Sequence, residues 1–88
     1  MTSRYSIELL PAARRSLKKL KKSDQMRASK LIDALADDAR PPGCKRLKGP
    51  LKDYYRVRSG NIRVVYGIWD EKLLILIVKI GDRKDVYE

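Results

Sequence analysis

The sequence predicts an α+β fold: an N-terminal strand, two antiparallel helices, then a three-stranded antiparallel meander, with the helices packed on one face of the sheet. Three observations predict it. Helical periodicity is confined to the first half of the chain. The turn-rich segment DDARPPGCKRLKGP divides the two halves, and beyond it three runs of β-forming residues are joined by connections of a few residues. At 88 residues the chain has room for one small domain with one modest core, taken as residues 1–88.

In RYSIELL, apolar Tyr5, Ile7 and Leu9 alternate with polar neighbours, the period of a half-buried strand. Pro11 suits a first helical turn, where its missing N–H has no intrahelical partner to lose. In PAARRSLKKLKK, Ala13, Leu17 and Leu20 fall at i, i+4 and i+7 while basic residues take the remaining positions, which reads as a short amphipathic helix. Ser23 is the expected N-cap of a second helix, SDQMRASKLIDALAD, whose stripe is Ala28, Leu31, Ile32, Leu35 and Ala36. Pro41, Pro42 and Gly43 are expected to stop it. The strands YYRVRS, IRVVYGIW and LLILIVKI follow, joined by Ser59-Gly60-Asn61 and Asp70-Glu71-Lys72 as consecutive hairpins.

Charge is the strongest compositional signal, with 21 Lys and Arg against 11 Asp and Glu for a formal net charge of +10. Such an excess points to a polyanionic partner. From Arg40 to Val65 there are eight basic residues and one acid, Asp53, whereas Tyr66 to Glu88 is nearly balanced, so the middle of the chain carries the field. Lys48, Lys52 and Arg46 stand in this stretch as candidate RNA contacts, with Tyr54 as a candidate stacking residue. No apolar run approaches the roughly 20 residues of a membrane span. The opening residues lack a signal-peptide pattern and Cys44 has no disulfide partner in the chain, so a cytoplasmic location is expected.

Alternation along the strands separates two faces. Tyr55 and Val57 share one, with Val57 as the natural core residue, while Tyr54, Arg56 and Arg58 share the other. Arg56 and Arg58 then project together from the face away from the helices, about 7 Å apart. On the next strand Ile62, Val64, Tyr66 and Ile68 alternate with Arg63, Val65, Gly67 and Trp69, so Arg63 joins the same partly open face across the hairpin. The bland alternatives are a solvated sheet face, an ion pair of Arg63 with Asp70 or Glu71, and a packing role for Trp69. The basic first helix is either a solvated face or a contact for RNA phosphates. The sequence has no histidine, no His/Cys cluster, no glycine-rich phosphate loop and no carboxylate set of a magnesium nuclease, so no cofactor and no metal are expected.

AARRSLKKL, KRLKG, YYRVRSGNIRVVYGIWDEKLLILIVKIG and GDRKDVY together resemble, in order and over nearly the whole chain, the RelE/ParE superfamily of toxins from type II toxin–antitoxin pairs. The resemblance implies the RelE-like microbial ribonuclease-type fold. It also implies one of two activities: ribosome-dependent cleavage of messenger RNA in the A site, as in RelE-like members, or poisoning of DNA gyrase, as in ParE-like members. The basic strand residues, late arginine and terminal tyrosine of RelE-like nucleases correspond here to Arg56, Arg58, Arg63, Arg83 and Tyr87, which favours the nuclease branch. Several relatives carry histidine or lysine before that late arginine, where this chain has Asp82, and a catalytically weakened binding subunit is a third possibility.

RNA carries its own nucleophile in the 2′-hydroxyl, which DNA lacks. On the RelE-like reading Tyr87 is the base that accepts its proton, with arginines favouring the phenolate. Arg83 stabilises charge at the leaving group, and Arg56, Arg58 and Arg63 clamp phosphate with planar donor forks. The implied partners are a cognate antitoxin, the ribosome and messenger RNA, with oligomerisation mainly through the antitoxin.

Overall fold

The computed structural model describes residues 4–49 and 53–82. Among them the chain runs β1 (Ser6–Leu9), α1 (Pro11–Lys19), α2 (Lys22–Asp37), β2 (Lys45–Arg46), β3 (Tyr54–Ser59), β4 (Ile62–Trp69), a 3-10 helix (Asp70–Lys72) and β5 (Leu74–Asp82). The strands form one five-stranded sheet in the order β1-β5-β4-β3-β2. The expected meander is β3, β4 and β5. Two features extend it: β1 adds in parallel to β5, with Ile7 opposite Ile75, and the two-residue β2 adds antiparallel to β3.

Pro11 does open α1, and Ala13 is the residue of that helix that is fully buried. The helix ends at Lys19, short of the expected Lys22, because Leu20 and Lys21 are extended and turn the chain back. Lys18 and Lys19 occupy the last turn, where positive charge complements the helix dipole. Gln25 Nε2, from the next helix, donates to the carbonyls of Lys18 at 3.1 Å and Leu20 at 2.9 Å, satisfying acceptors that a helix end leaves open. The N-cap of α2 is Lys21, so Ser23 sits inside the first turn instead of capping it. The helix also stops at Asp37, before the prolines.

Both helices lie on one face, α1 against β5 and α2 across β4 and β3. Their apolar stripes meet Val57, Ile62, Val64, Tyr66, Ile75, Ile77 and Ile80 in the main core. Burying each such side chain contributes about 1.5–3 kcal/mol relative to leaving it in water. The spacing of the last three isoleucines is informative: Ile75 and Ile77 keep period two, whereas Ile80 is one residue late. The register absorbs the extra residue, with Val65 opposite Lys79 and Tyr66 opposite Ile77. Val78 is the inserted position of a β-bulge, and it returns Ile80 to the core while keeping Lys79 out of it.

Candidate functional site: an arginine face and an aromatic cleft

The face away from the helices is where the strand alternation sends Arg56, Arg58 and Arg63. Arg58 and Arg63 are direct cross-strand partners, and Arg56 stands opposite Val65. Partners of this kind have Cβ atoms about 4.5–5.5 Å apart, so three guanidiniums share one small area. The register adds Lys45, opposite Arg56, and Lys79, opposite Val65. Neither lysine was anticipated: the KRLKG stretch that holds Lys45 reads as loop until its pairing with β3 is known, and Lys79 reaches this face only through the bulge in β5.

This face is less open than the sequence implies. Arg56 and Arg63 are only 4% and 5% exposed, whereas Arg58 is exposed. Leu47 returns over the sheet and packs with Val65, Tyr54 and Val78 in a second apolar cluster, so the aliphatic parts of the arginines are enclosed. Arg56 Nε and Arg63 Nε and Nη1 lie beneath the surface. Burial, then the positive charges of Arg63 and Arg58, hold the Arg56 guanidinium below its ordinary value. The result is a fixed, strongly positive surface with limited freedom to rearrange.

Asp82 falls opposite Ile62, and Gly81 opposite Arg63. By alternation Asp82 belongs to the helix side of the sheet, and the position facing Arg63 carries no side chain. Lys52, Arg83 and Tyr87 lie outside the described residues. Lys48 is exposed in the loop after β2. Arg46 pairs in register with Tyr55, which puts it on the opposite face from the arginine cluster, and it lies 3.8 Å from Asp53.

At the far end of the sheet a cleft of about 480 Å³ is lined by Arg40, Arg46, Asp53, Tyr54, Tyr55, Ile68 and Trp69. It opens because β3 pairs with β4 only as far as Tyr54 opposite Gly67, leaving Ile68 and Trp69 to run on beyond the start of β3. The wall is built by a polar network that joins distant segments. Tyr5 donates its hydroxyl to Asp70 Oδ1 at 2.6 Å, and Arg40 donates to both Asp70 oxygens, at 3.3 and 3.0 Å. Arg40 Nε also donates to the Tyr55 hydroxyl at 3.3 Å, and its guanidinium carbon lies 5.4 Å from the Tyr55 ring centroid. Asp70 is therefore taken by Arg40 and Tyr5, not by Arg63, and the Arg40 hydrogen bond together with that of Tyr5 holds its carboxyl below the usual range. Behind this wall Tyr55 stacks on Tyr66 with centroids 5.9 Å apart, and the Tyr66 hydroxyl donates to the Ala39 carbonyl at 2.9 Å.

Among the described residues no three or more His, Cys, Asp or Glu side chains converge as a metal site would require, and no helix is long and apolar enough to cross a membrane. The chemistry the face offers is electrostatic: a planar array of guanidinium donors suited to phosphate or carboxylate.

Comparison with known proteins agrees with this architecture. A family profile described as the ParE toxin of a type II toxin–antitoxin system, parDE, matches residues 7–87. A protein from Escherichia coli described as RelE-like toxin is 34% identical, with 96% of this chain and 90% of that protein aligned. A protein from Methanocaldococcus jannaschii named as toxin RelE1 is also 34% identical, over 97% of each chain. In three dimensions the RelBE2 toxin–antitoxin complex from Mycobacterium tuberculosis offers a chain that superposes with a TM-score of 0.84, covering 97% of this chain and 98% of that one at 24% identity. Two near-full-length relatives and a family match over almost the whole chain, with a fold shared in three dimensions, lead to one assignment: the chain belongs to the RelE/ParE superfamily of type II toxin–antitoxin toxins.

Proposed function

We propose that this toxin is a ribosome-dependent endoribonuclease that cuts messenger RNA in the A site. The observation that carries the reading is the cluster of Arg56, Arg58 and Arg63 on one sheet face, two of them almost fully enclosed. A solvated sheet face would keep its arginines mobile and in water. Guanidiniums held in advance of binding instead lose little freedom when they meet a phosphate, which is how preorganised donors favour a transition state.

The chemistry follows from the substrate. A base takes the proton of the 2′-hydroxyl, O2′ attacks the adjacent phosphorus, and the 5′-oxygen leaves with a proton, giving a 2′,3′-cyclic phosphate and a 5′-hydroxyl end. The arginine cluster offsets the charge that builds on the non-bridging oxygens. Tyr87 is the base and Arg83 steadies the leaving group; both assignments rest on the resemblance to RelE-like nucleases. Exposed Arg58 makes the first phosphate contact, and Lys45 and Lys79 extend the positive surface along the strand. This route needs no metal ion or cofactor, and a ribosomal target places the protein in the cytoplasm.

The Mycobacterium tuberculosis neighbour was solved as a toxin–antitoxin complex, and an antitoxin partner for this chain is inferred from that likeness. An acidic segment laid over the arginine face would neutralise it. A second reading has its own support, since the matching family profile carries the ParE description. In that case the same face would bind gyrase and do no chemistry.

The deciding experiment maps message ends by primer extension in a purified translation system. Cuts at A-site codons that require ribosomes are expected with the wild-type protein. Arg58→Ala and Tyr87→Phe are expected to lower the cutting rate by about 100-fold or more, the cost of removing one preorganised stabilising group. Unbroken messages and unimpaired translation would refute the nuclease reading and move attention to gyrase.

A further inference from the structure

The aromatic end of the arginine face has no part in the phosphate chemistry described above. Tyr54 lies on the same strand face as Arg56 and Arg58, and Trp69 on the same face as Arg63 and Val65, by the alternation of β3 and β4. Both rings crowd the one position between them that lacks a side chain. A Cβ added at Gly67 would lie 2.8 Å from Tyr54 Cε1 and 2.8 Å from Trp69 Cζ3, closer than real carbon atoms approach. Glycine at 67 therefore lets two aromatic rings settle low against the β4 backbone, side by side.

Packing accounts for only part of this. Tyr54 contributes to the small cluster with Leu47 and Val65, but Trp69, the largest side chain of the protein, belongs to neither apolar cluster formed by the described residues. Both rings remain partly exposed, and both line the cleft of about 480 Å³. That size lies within the range of about 300–1,000 Å³ typical of small-molecule sites and exceeds what one planar base needs. The Arg46–Asp53 pair, 65% and 77% exposed at 3.8 Å, also lines the cleft and adds a hydrogen-bond donor and an acceptor to its wall. Along β3, Tyr54 is about 7 Å from Arg56 and about 13 Å from Arg58, a distance comparable to one or two nucleotides of an unstacked strand.

We propose that Tyr54 and Trp69 form a stacking platform that seats a nucleobase of single-stranded RNA one or two nucleotides from the phosphate held by the arginine cluster. The proposal rests on the RNA reading above and deepens it, by adding to a phosphate grip a subsite that takes a base. Stacking on an aromatic face tolerates any base, so the platform contributes affinity and register along the strand, with little choice of sequence.

Trp69 is the single tryptophan of the chain, so its fluorescence reports on the platform directly. The test titrates the purified toxin with a short single-stranded RNA, 2′-O-methylated to block cleavage, and with the same backbone carrying abasic positions. Quenching of Trp69 by the base-bearing strand and binding about 5- to 150-fold tighter than the abasic strand are expected, the effect of losing one to a few kcal/mol of stacking. Tyr54→Leu is expected to shrink that ratio, weakening the base-bearing strand more than the abasic one. Equal affinity for the two strands without quenching would overturn the platform and leave the phosphate grip intact. Failure of both strands to bind would overturn the RNA reading and the platform with it.

Discussion

Replacing Arg56 by methionine should make this protein more stable while weakening its grip on RNA. Arg56 is 4% exposed, and its guanidinium is held below the ordinary arginine value first by burial and then by Arg63 and Arg58. A folded-state value below the unfolded one means that the positive charge is less favourable in the folded protein. That cost is present at every pH below the folded value and disappears only in strong alkali, so substitution, not titration, is the practical test. Exchanging a whole set of buried charges for apolar side chains stabilises by about 1–4 kcal/mol in favourable cases, and taking one guanidinium out of a cluster of like charges recovers part of that. Only one of the three guanidiniums is removed, which sets the lower half of that range. For a domain of this size each kcal/mol corresponds to roughly 4–8 °C, so thermal unfolding followed by circular dichroism should rise by about 5–15 °C. Added salt should raise the wild-type midpoint more than that of the variant, because screening relieves the repulsion that methionine has already removed. A midpoint that falls in Arg56→Met, or a salt response equal in the two proteins, would refute the view that the cluster is assembled against its own repulsion.

Two further substitutions examine the wall of the cleft. Tyr66→Phe keeps the buried ring but leaves the Ala39 carbonyl without the hydroxyl that donates to it at 2.9 Å, and a loss of about 1–2 kcal/mol is expected from denaturant unfolding. Asp70→Asn should destabilise the protein most at neutral pH, where the carboxylate accepts from Arg40 and Tyr5. Because Asp70 is held below the usual carboxylate range, its contribution is complete above about pH 4 and is lost as pH falls through its lower folded value. The difference between wild type and variant should therefore shrink in acid, and a difference that grows there would contradict the network.

The strand alternation made the arginine face legible from the sequence, since period two sends Val57, Val64 and Tyr66 one way and Arg56, Arg58 and Arg63 the other. Its burial was not legible, because Leu47 arrives from a proline- and glycine-rich segment whose return over the sheet has no local signature. β2 escaped for a related reason: two residues carry no measurable period. The bulge did leave a trace, in the late position of Ile80, but a continuous apolar run reads equally well without it. The wall joining Tyr5, Arg40 and Asp70 spans 65 and 30 residues of sequence, so nothing near any of the three announces the other two. Arg83 and Tyr87 rest on resemblance alone, because no strand or helix period in the sequence singles them out.

The parallel pairing of β1 with β5 governs when this protein comes into being. Ser6 has its partner in Leu74, far along the chain. Closing so long a loop is entropically costly and slow relative to hairpin formation, so the central strands can assemble while β1 still waits. The sheet is therefore completed only once β5 has been made. A nascent chain interrupted before β5 lacks the strand that anchors β1, and synthesis through β5 becomes a condition for possessing the fold at all.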